Sequence, residues 1–395
     1  MHYRKMGNTG QEVSALGFGC MRLPVIDNNP AMIDEEKAIN MVRHAIDKGV
    51  NYIDTAYPYH GTGMGGAGES EPFVAKALKD GYREKVSIAT KLPTWLVRSR
   101  EDMDKFLDEQ LKRLETDCID YYLIHTLNAA LWGMIQNFDF KDFLDQAIKD
   151  GKIKYAGFSF HDTSVELFKE IVDAYDWSFC QIQYNYMDRD QQAGEEGLDY
   201  AAKKGLGVVI MEPLRGGSLA TNLPDSAESL FQNGKPQRSA ADWSLRWLWN
   251  DERVGVVLSG MSEMDHVVGN LKTASESSID SMSKDELNTI EEVTQVIKSK
   301  VKVGCTACGY CMPCPVGVNI PECFARYNDY YRYDSLGAKR QNKMMYTAFM
   351  AADEKADKCV ECGKCEEHCP QGIQIIKELK NVHSELATEL PVDLD

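Results

Sequence analysis

Four residues in the first third of the chain have the types needed to move a proton onto a carbonyl oxygen: Asp54, Tyr59, Lys91 and His125. Three of them follow short apolar runs, Asn51 to Ile53, Val86 to Ala89 and Ile119 to Ile124. A tyrosine with an ordinary pKa of about 10 is a poor donor to a developing alkoxide, but a nearby ammonium favours its phenolate. Asp54 is expected to hold Lys91 charged, and His125 to polarise the carbonyl while a hydride donor lies against the opposite face. A second set lies far downstream: Cys305, Cys308, Cys311 and Cys314, then Cys359, Cys362, Cys365 and Cys369, each run closed by a proline. In a reducing compartment such closely spaced thiols are more often metal ligands than bridges.

The elements that must position the first set alternate between strand and helix. Besides those three runs, Ala15 to Phe18, Tyr155 to Phe158, Phe179 to Ile182, Gly207 to Ile210 and Val254 to Leu258 read as buried strands. Between them, Ala38, Val42, Ala45 and Ile46 repeat at helical spacing behind the acidic start Asp34-Glu35-Glu36, as do Phe106, Leu107, Leu111 and Leu114. Eight such strands with crossover helices close into a (β/α)8 TIM barrel, whose active site sits at the carboxyl ends of the strands. An open doubly wound sheet competes, but the G-x-G-x-x-G turn expected after its first strand is absent.

Of the 12 cysteines, nine fall between Cys305 and Cys369, which sets a boundary near Lys300: a barrel over 1–300 and a metal-binding domain over 301–395. The formal charge of −17 without a basic stripe argues against nucleic acid or an anionic membrane as partner. No signal peptide or bilayer-spanning run is legible, so a cytoplasmic protein is expected.

The stretches NYIDTAYPYHG, SIATKLP, DYYLIHTLN and QIQYNYMDR resemble the aldo-keto reductase superfamily over nearly the whole first 300 residues. The resemblance implies Asp54, Tyr59, Lys91 and His125 as the catalytic tetrad. It implies NADH or NADPH as cofactor, with Ser159 and Gln183 at the carboxamide, Gly216, Gly217 and Ser218 along the pyrophosphate, and Gly260, Ser262 and Asn270 after the eighth strand. Three positions depart from the pattern: Phe160 replaces the usual asparagine, Met211 stands where an aromatic stacks on the nicotinamide, and Glu263 stands where NADPH-preferring members put a cation. A carboxylate repels a 2′-phosphate and weakly favours NADH. Arg22 is read as a grip on a substrate anion or a structural ion pair, and His161 at the rim is equally ambiguous. The glycine-rich insertion Gly61 to Gly68 reads as a mobile flap.

The last 95 residues resemble a bacterial two-cluster ferredoxin. The second cysteine run has its spacing, and the first is one residue short before Cys314. The fourth ligand normally comes from the other run. The crossed assignment is Cys305, Cys308, Cys311 and Cys369 for one 4Fe-4S cluster, with Cys359, Cys362, Cys365 and Cys314 for the other; paired zinc sites are the alternative. Phe324, Tyr327 and Tyr331 recur at helical spacing, which favours a mainly helical domain with these aromatics in its core. Cys323 is expected to be a buried thiol.

Together these readings describe an iron-sulfur oxidoreductase interconverting a small carbonyl and its alcohol, with NAD(P)H, cluster-delivered electrons or both. No motif demonstrates the flavin that could reconcile two-electron and one-electron steps. The alternative is a non-catalytic or ferredoxin-fed barrel, an electron-transfer module docking on a redox partner.

Overall fold

The computed structural model describes residues 1–61, 66–221, 223–332 and 336–388. The centre of the glycine-rich insertion, 62–65, and the acidic end of the tail, 389–395, lie outside the described residues. The chain forms two compact units, one of Met1–Pro213 and Ala241–Ser283, the other of Leu214–Ala240 and Lys284–Asp395. The Lys300 boundary suggested by the cysteines falls inside the second unit, which also takes up the segment following the seventh barrel strand.

The first unit is a closed parallel barrel of β1 (Leu16–Gly19), β2 (Tyr52–Asp54), β3 (Ser87–Leu92), β4 (Ile119–Leu127), β5 (Ile153–Phe160), β6 (Phe179–Gln183), β7 (Gly207–Met211) and β8 (Val256–Gly260). Strand β8 pairs back onto β1, with Val257 opposite Leu16. Intervening helices start where short polar side chains satisfy amides that the helix leaves unpaired. Asp34 accepts from the Lys37 N–H at 3.2 Å, Ser99 from Asp102 at 3.3 Å and Ser164 from Leu167 at 3.2 Å.

Two short strands absent from the sequence reading, Tyr3–Lys5 and Glu12–Ser14, form an antiparallel hairpin. Its Met6 and Val13 join Tyr52, Tyr121, Phe179, Val209 and Val256 in one buried cluster. Tyr121 organises that cluster, 5.2 Å from the rings of Tyr52, Tyr155 and Phe179. Because successive strand residues alternate faces, Asp54, Lys91 and His125 continue the inward columns begun by Tyr52, Ala89 and Tyr121. The filled interior leaves the opposite end of the barrel for chemistry.

The described part of the second unit contains helices and no strand. Helix Asp225–Asn233 packs on Lys284–Lys300, and Ile320–Arg332 packs on Ile375–Leu386. Val318, Phe324, Tyr327, Tyr346, Leu379 and Val382 are among the residues of its core. Tyr331 lies against that core, so the three aromatics at helical spacing pack as expected. Cys323 is fully buried, its Sγ 3.7 Å from the Glu354 carbonyl, with burial as the main cause raising its pKa to about 12. Among the described residues no helix is long and apolar enough to cross a membrane.

Candidate active site and thiol clusters

Strands β2, β3 and β4 bring three of the four sequence candidates to one end of the barrel, and the loop after β2 adds the fourth. Lys91 Nζ donates to Asp54 Oδ2 at 2.7 Å and to the Thr55 carbonyl at 2.7 Å, and lies 3.4 Å from the Tyr59 hydroxyl. The ammonium also sits 4.9 Å from the Tyr59 ring centroid. Lys91 is 0% exposed and Asp54 3%. Removing two charges from water costs several kcal/mol per ion, so the pair is retained against a steep penalty. Burial pushes the Asp54 carboxyl up and the Lys91 ammonium down, and each partner opposes the shift of the other.

The His125 ring stands edge-on to Tyr59 at 6.2 Å and 5.3 Å from Trp95, and its Nδ1 has no hydrogen-bond partner. Burial, then the Lys91 charge, then His161 hold its pKa well below the ordinary value, so the imidazole is neutral. His161 is half-buried, its pKa lowered to about 4 first by desolvation and then by Lys91. A buried cation beside a phenol, with a neutral imidazole across from it, can stabilise a phenolate and direct an N–H at an oxygen.

A supporting layer was not legible in the sequence. Glu71, fully buried, accepts from Thr90 Oγ1 and Gln110 Nε2, each at 2.7 Å, and from Arg113 Nε at 2.8 Å. Gln110 also donates to the Lys91 carbonyl at 3.0 Å and accepts from the Tyr122 hydroxyl at 2.8 Å. Arg113 reaches on to the Gly68 carbonyl. Gly68 closes against the catalytic loop: a Cβ there would lie 2.0 Å from the Tyr59 carbonyl oxygen. On the other side, His60 bridges Pro30 O at 2.7 Å and the Leu23 N–H at 3.2 Å. No local pattern marks these partners, because they come from two helices, two strands and the loops between.

The residues expected around a nicotinamide are distributed less uniformly. Ser159 is buried and accepts the Thr126 N–H at 2.8 Å. Gln183 is engaged locally, donating to Asp188 at 2.9 Å and accepting from Gln192 at 3.1 Å. Gln181 is the glutamine that pairs in register with Ser159. It is 3% exposed, its Nε2 reaches Met211 Sδ at 3.5 Å, and its Oε1 has no hydrogen-bond partner. Phe160 is buried against Phe168. After β8, Asn270 donates to Ser259 at 3.0 Å, Gly260 lies under the Arg22 side chain, and Ser262 precedes Glu263, which pairs with Lys37 at 2.6 Å. Arg22 itself stands 3.4 Å from Glu212, the ion-pair reading. Gly216, Gly217 and Ser218 belong to the second unit, where both glycines have positive φ and Ser218 Oγ donates to the Arg215 carbonyl at 2.9 Å.

In the second unit the thiols group across the two runs. Cys314, Cys359, Cys362 and Cys365 line one small pocket together with Val318, Ile320 and Leu379. The Cys311 thiol is pushed up to about 12, first by burial and then by Cys308, Cys305 and Cys369. Thiols backed by an apolar wall are the chemistry that a 4Fe-4S cluster takes.

Residues 15–295 match the aldo/keto reductase family and residues 304–373 match a 4Fe-4S dicluster domain. The chain belongs to the aldo/keto reductase family and is an oxidoreductase carrying an iron-sulfur domain. It is 28% identical to "Probable aldo-keto reductase 1" of Glycine max, over 68% of this chain and 82% of that protein. It is 25% identical to L-galactose dehydrogenase of Arabidopsis thaliana, over 75% of this chain and 95% of the relative. Among solved structures, the holo form of aldo-keto reductase AKR11C1 from Bacillus halodurans superposes with a TM-score of 0.59 at 26% identity, covering 74% of this chain and 96% of that one.

Proposed function

We propose that the protein interconverts a small carbonyl and its alcohol at the open end of the barrel. The observation that carries this reading is the buried Lys91 ammonium, 2.7 Å from Asp54 and 3.4 Å from the Tyr59 hydroxyl. In the reducing direction Tyr59 gives its proton to the carbonyl oxygen and Lys91 stabilises the phenolate left behind. Neutral His125 donates a hydrogen bond to the same oxygen, while Asp54 and the Thr55 carbonyl keep Lys91 in place. A bound NAD(P)H supplies the hydride and 4Fe-4S clusters exchange single electrons. Ser159 and the partnerless Gln181 Oε1 are suited to a carboxamide, Gln181 taking the role first given to Gln183. Met211 offers a polarisable wall in place of a stacked ring. Glu263 disfavours a 2′-phosphate and thereby favours NADH.

The domain over 301–395 holds its two clusters through Cys305, Cys308, Cys311 and Cys369, and through Cys314, Cys359, Cys362 and Cys365. It exchanges electrons with a ferredoxin or another redox protein in the cytoplasm, and the barrel over 1–300 carries the chemistry. Anaerobic purification with iron and sulfide analysis, followed by titration with NADH and NADPH, tests the reading on one sample. About eight irons per chain and saturable nicotinamide binding are expected. Full iron without nicotinamide binding would favour the ferredoxin-fed barrel instead, and zinc without sulfide would remove the electron-transfer half.

A further inference from the structure

The two thiol groups of the second unit have different electrostatic surroundings. Cys305 lines a pocket whose wall also carries Arg215, Lys300 and Arg332 and, among the described residues, no carboxylate. Arg215 is 7% exposed and donates to the Gly304 carbonyl at 3.1 Å, one residue from Cys305. The charge of Arg332 is shared with Asp329 at 2.5 Å. The Ala307 N–H adds a hydrogen bond to Cys305 Sγ at 3.3 Å. Around Cys314, Cys359, Cys362 and Cys365 the cavity wall has no charged side chain. The charged residues adjacent to these thiols in sequence are of both signs: Lys358 pairs with Asp357 at 2.8 Å, Glu361 pairs with Lys380 at 2.8 Å, Lys364 and Glu366 flank Cys365, and Glu366 accepts the Ile376 N–H at 2.8 Å. A reduced cluster carries one more negative charge than an oxidised one. A buried cation and donors to sulfur therefore favour reduction, and a wall with no charged side chain supplies no such help.

We propose that Arg215 holds the cluster of Cys305, Cys308, Cys311 and Cys369 at a higher reduction potential than the cluster of Cys314, Cys359, Cys362 and Cys365. One electron taken from a low-potential donor such as dithionite then rests on the first cluster, leaving the oxidised donor behind. Arg215 is a positioning residue on the turn that follows β7, so that turn and the first cluster share a charged side chain within the second unit. The inference rests on the crossed cluster assignment proposed above.

The test is an EPR-monitored redox titration of the full chain carrying its clusters, with iron content measured on every sample. The wild type is expected to show two one-electron steps. Cys362→Ser, which alters a ligand of the second cluster, should change the lower step. Arg215→Gln should lower the reduced-to-oxidised ratio of the upper step about tenfold at a fixed potential, about 59 mV for one electron, and leave the lower step in place. Arg215→Lys should recover part of the shift. Should Arg215→Gln fail to load iron, Lys300→Gln on the same wall should move the upper step the same way by a smaller amount. Full iron with neither step moved, or both moved equally, overturns the role of Arg215. Absence of iron and sulfide from the wild type overturns the cluster assignment beneath it.

Discussion

The two units hold their reactive groups by opposite means. In the barrel the charges are completed by protein: Lys91 has Asp54 and the Thr55 carbonyl, and the backbone of Lys91 is fixed in turn through Gln110 and Glu71. In the second unit, six of the eight paired-run thiols pack at the edge of a small core, and Cys314, Cys359, Cys362 and Cys365 share a pocket lined by no charged side chain. A site completed by protein keeps its geometry without ligand, whereas one completed by metal owes part of its folding to that metal.

The largest effect that would break this contrast comes from iron removal. Oxidative iron release with a chelator is expected to abolish the thermal transition of the second unit while the barrel retains its own, as scanning calorimetry would show; loss of both transitions would contradict the division. Next in size, Lys91→Met strands a buried carboxylate and should destabilise the barrel by about 3 to 5 kcal/mol, measured by urea unfolding. Adding Asp54→Leu should recover most of that stability and none of the carbonyl reduction, separating the structural from the chemical role of the pair.

Acid sharpens the same contrast. The His161 pKa is lowered to about 4 by burial and then by Lys91, against an ordinary value of about 6.5. The unfolded chain takes up this proton first, so the stability is fully present above about pH 6.5 and is lost as pH falls toward 4. At about 1.36 kcal/mol per pH unit the loss reaches about 3 kcal/mol, and His125 adds to it in the same direction. Urea midpoints at pH 7.5 and 4.5 should differ more in the wild type than in His161→Gln. The smallest effect separates the two glutamines of β6. Gln181→Ala should weaken nicotinamide binding up to about tenfold, the scale of one neutral hydrogen bond. Gln183→Ala should cost about 1 kcal/mol of stability with affinity unchanged, by titration and unfolding respectively.

The barrel was legible because its strands are short apolar runs ending in polar residues, and Asp54, Lys91 and His125 are such endings. The choice between Gln181 and Gln183 was not, because both point inward along β6 and only the pairing of Gln181 with Ser159 separates them. Glu71, Gln110 and Arg113 were hidden for a related reason: their partnership joins two helices to a strand, with no fixed spacing. The N-terminal hairpin escaped notice because its three-residue strands carry little alternation. In the second unit the cysteine spacing alone announced the thiol groups, while the position of Arg215 near Cys305 depends on the segment after β7 folding with that unit.

The measurement closest to the central claim is carbonyl-dependent oxidation of NADH or NADPH by the wild type and by Tyr59→Phe, with nicotinamide affinity determined on both. Loss of the Tyr59 hydroxyl should lower turnover by about 10² to 10⁴ and leave nicotinamide affinity unchanged. Equal turnover in the two proteins would contradict the assignment of Tyr59 as the proton donor held beside Lys91.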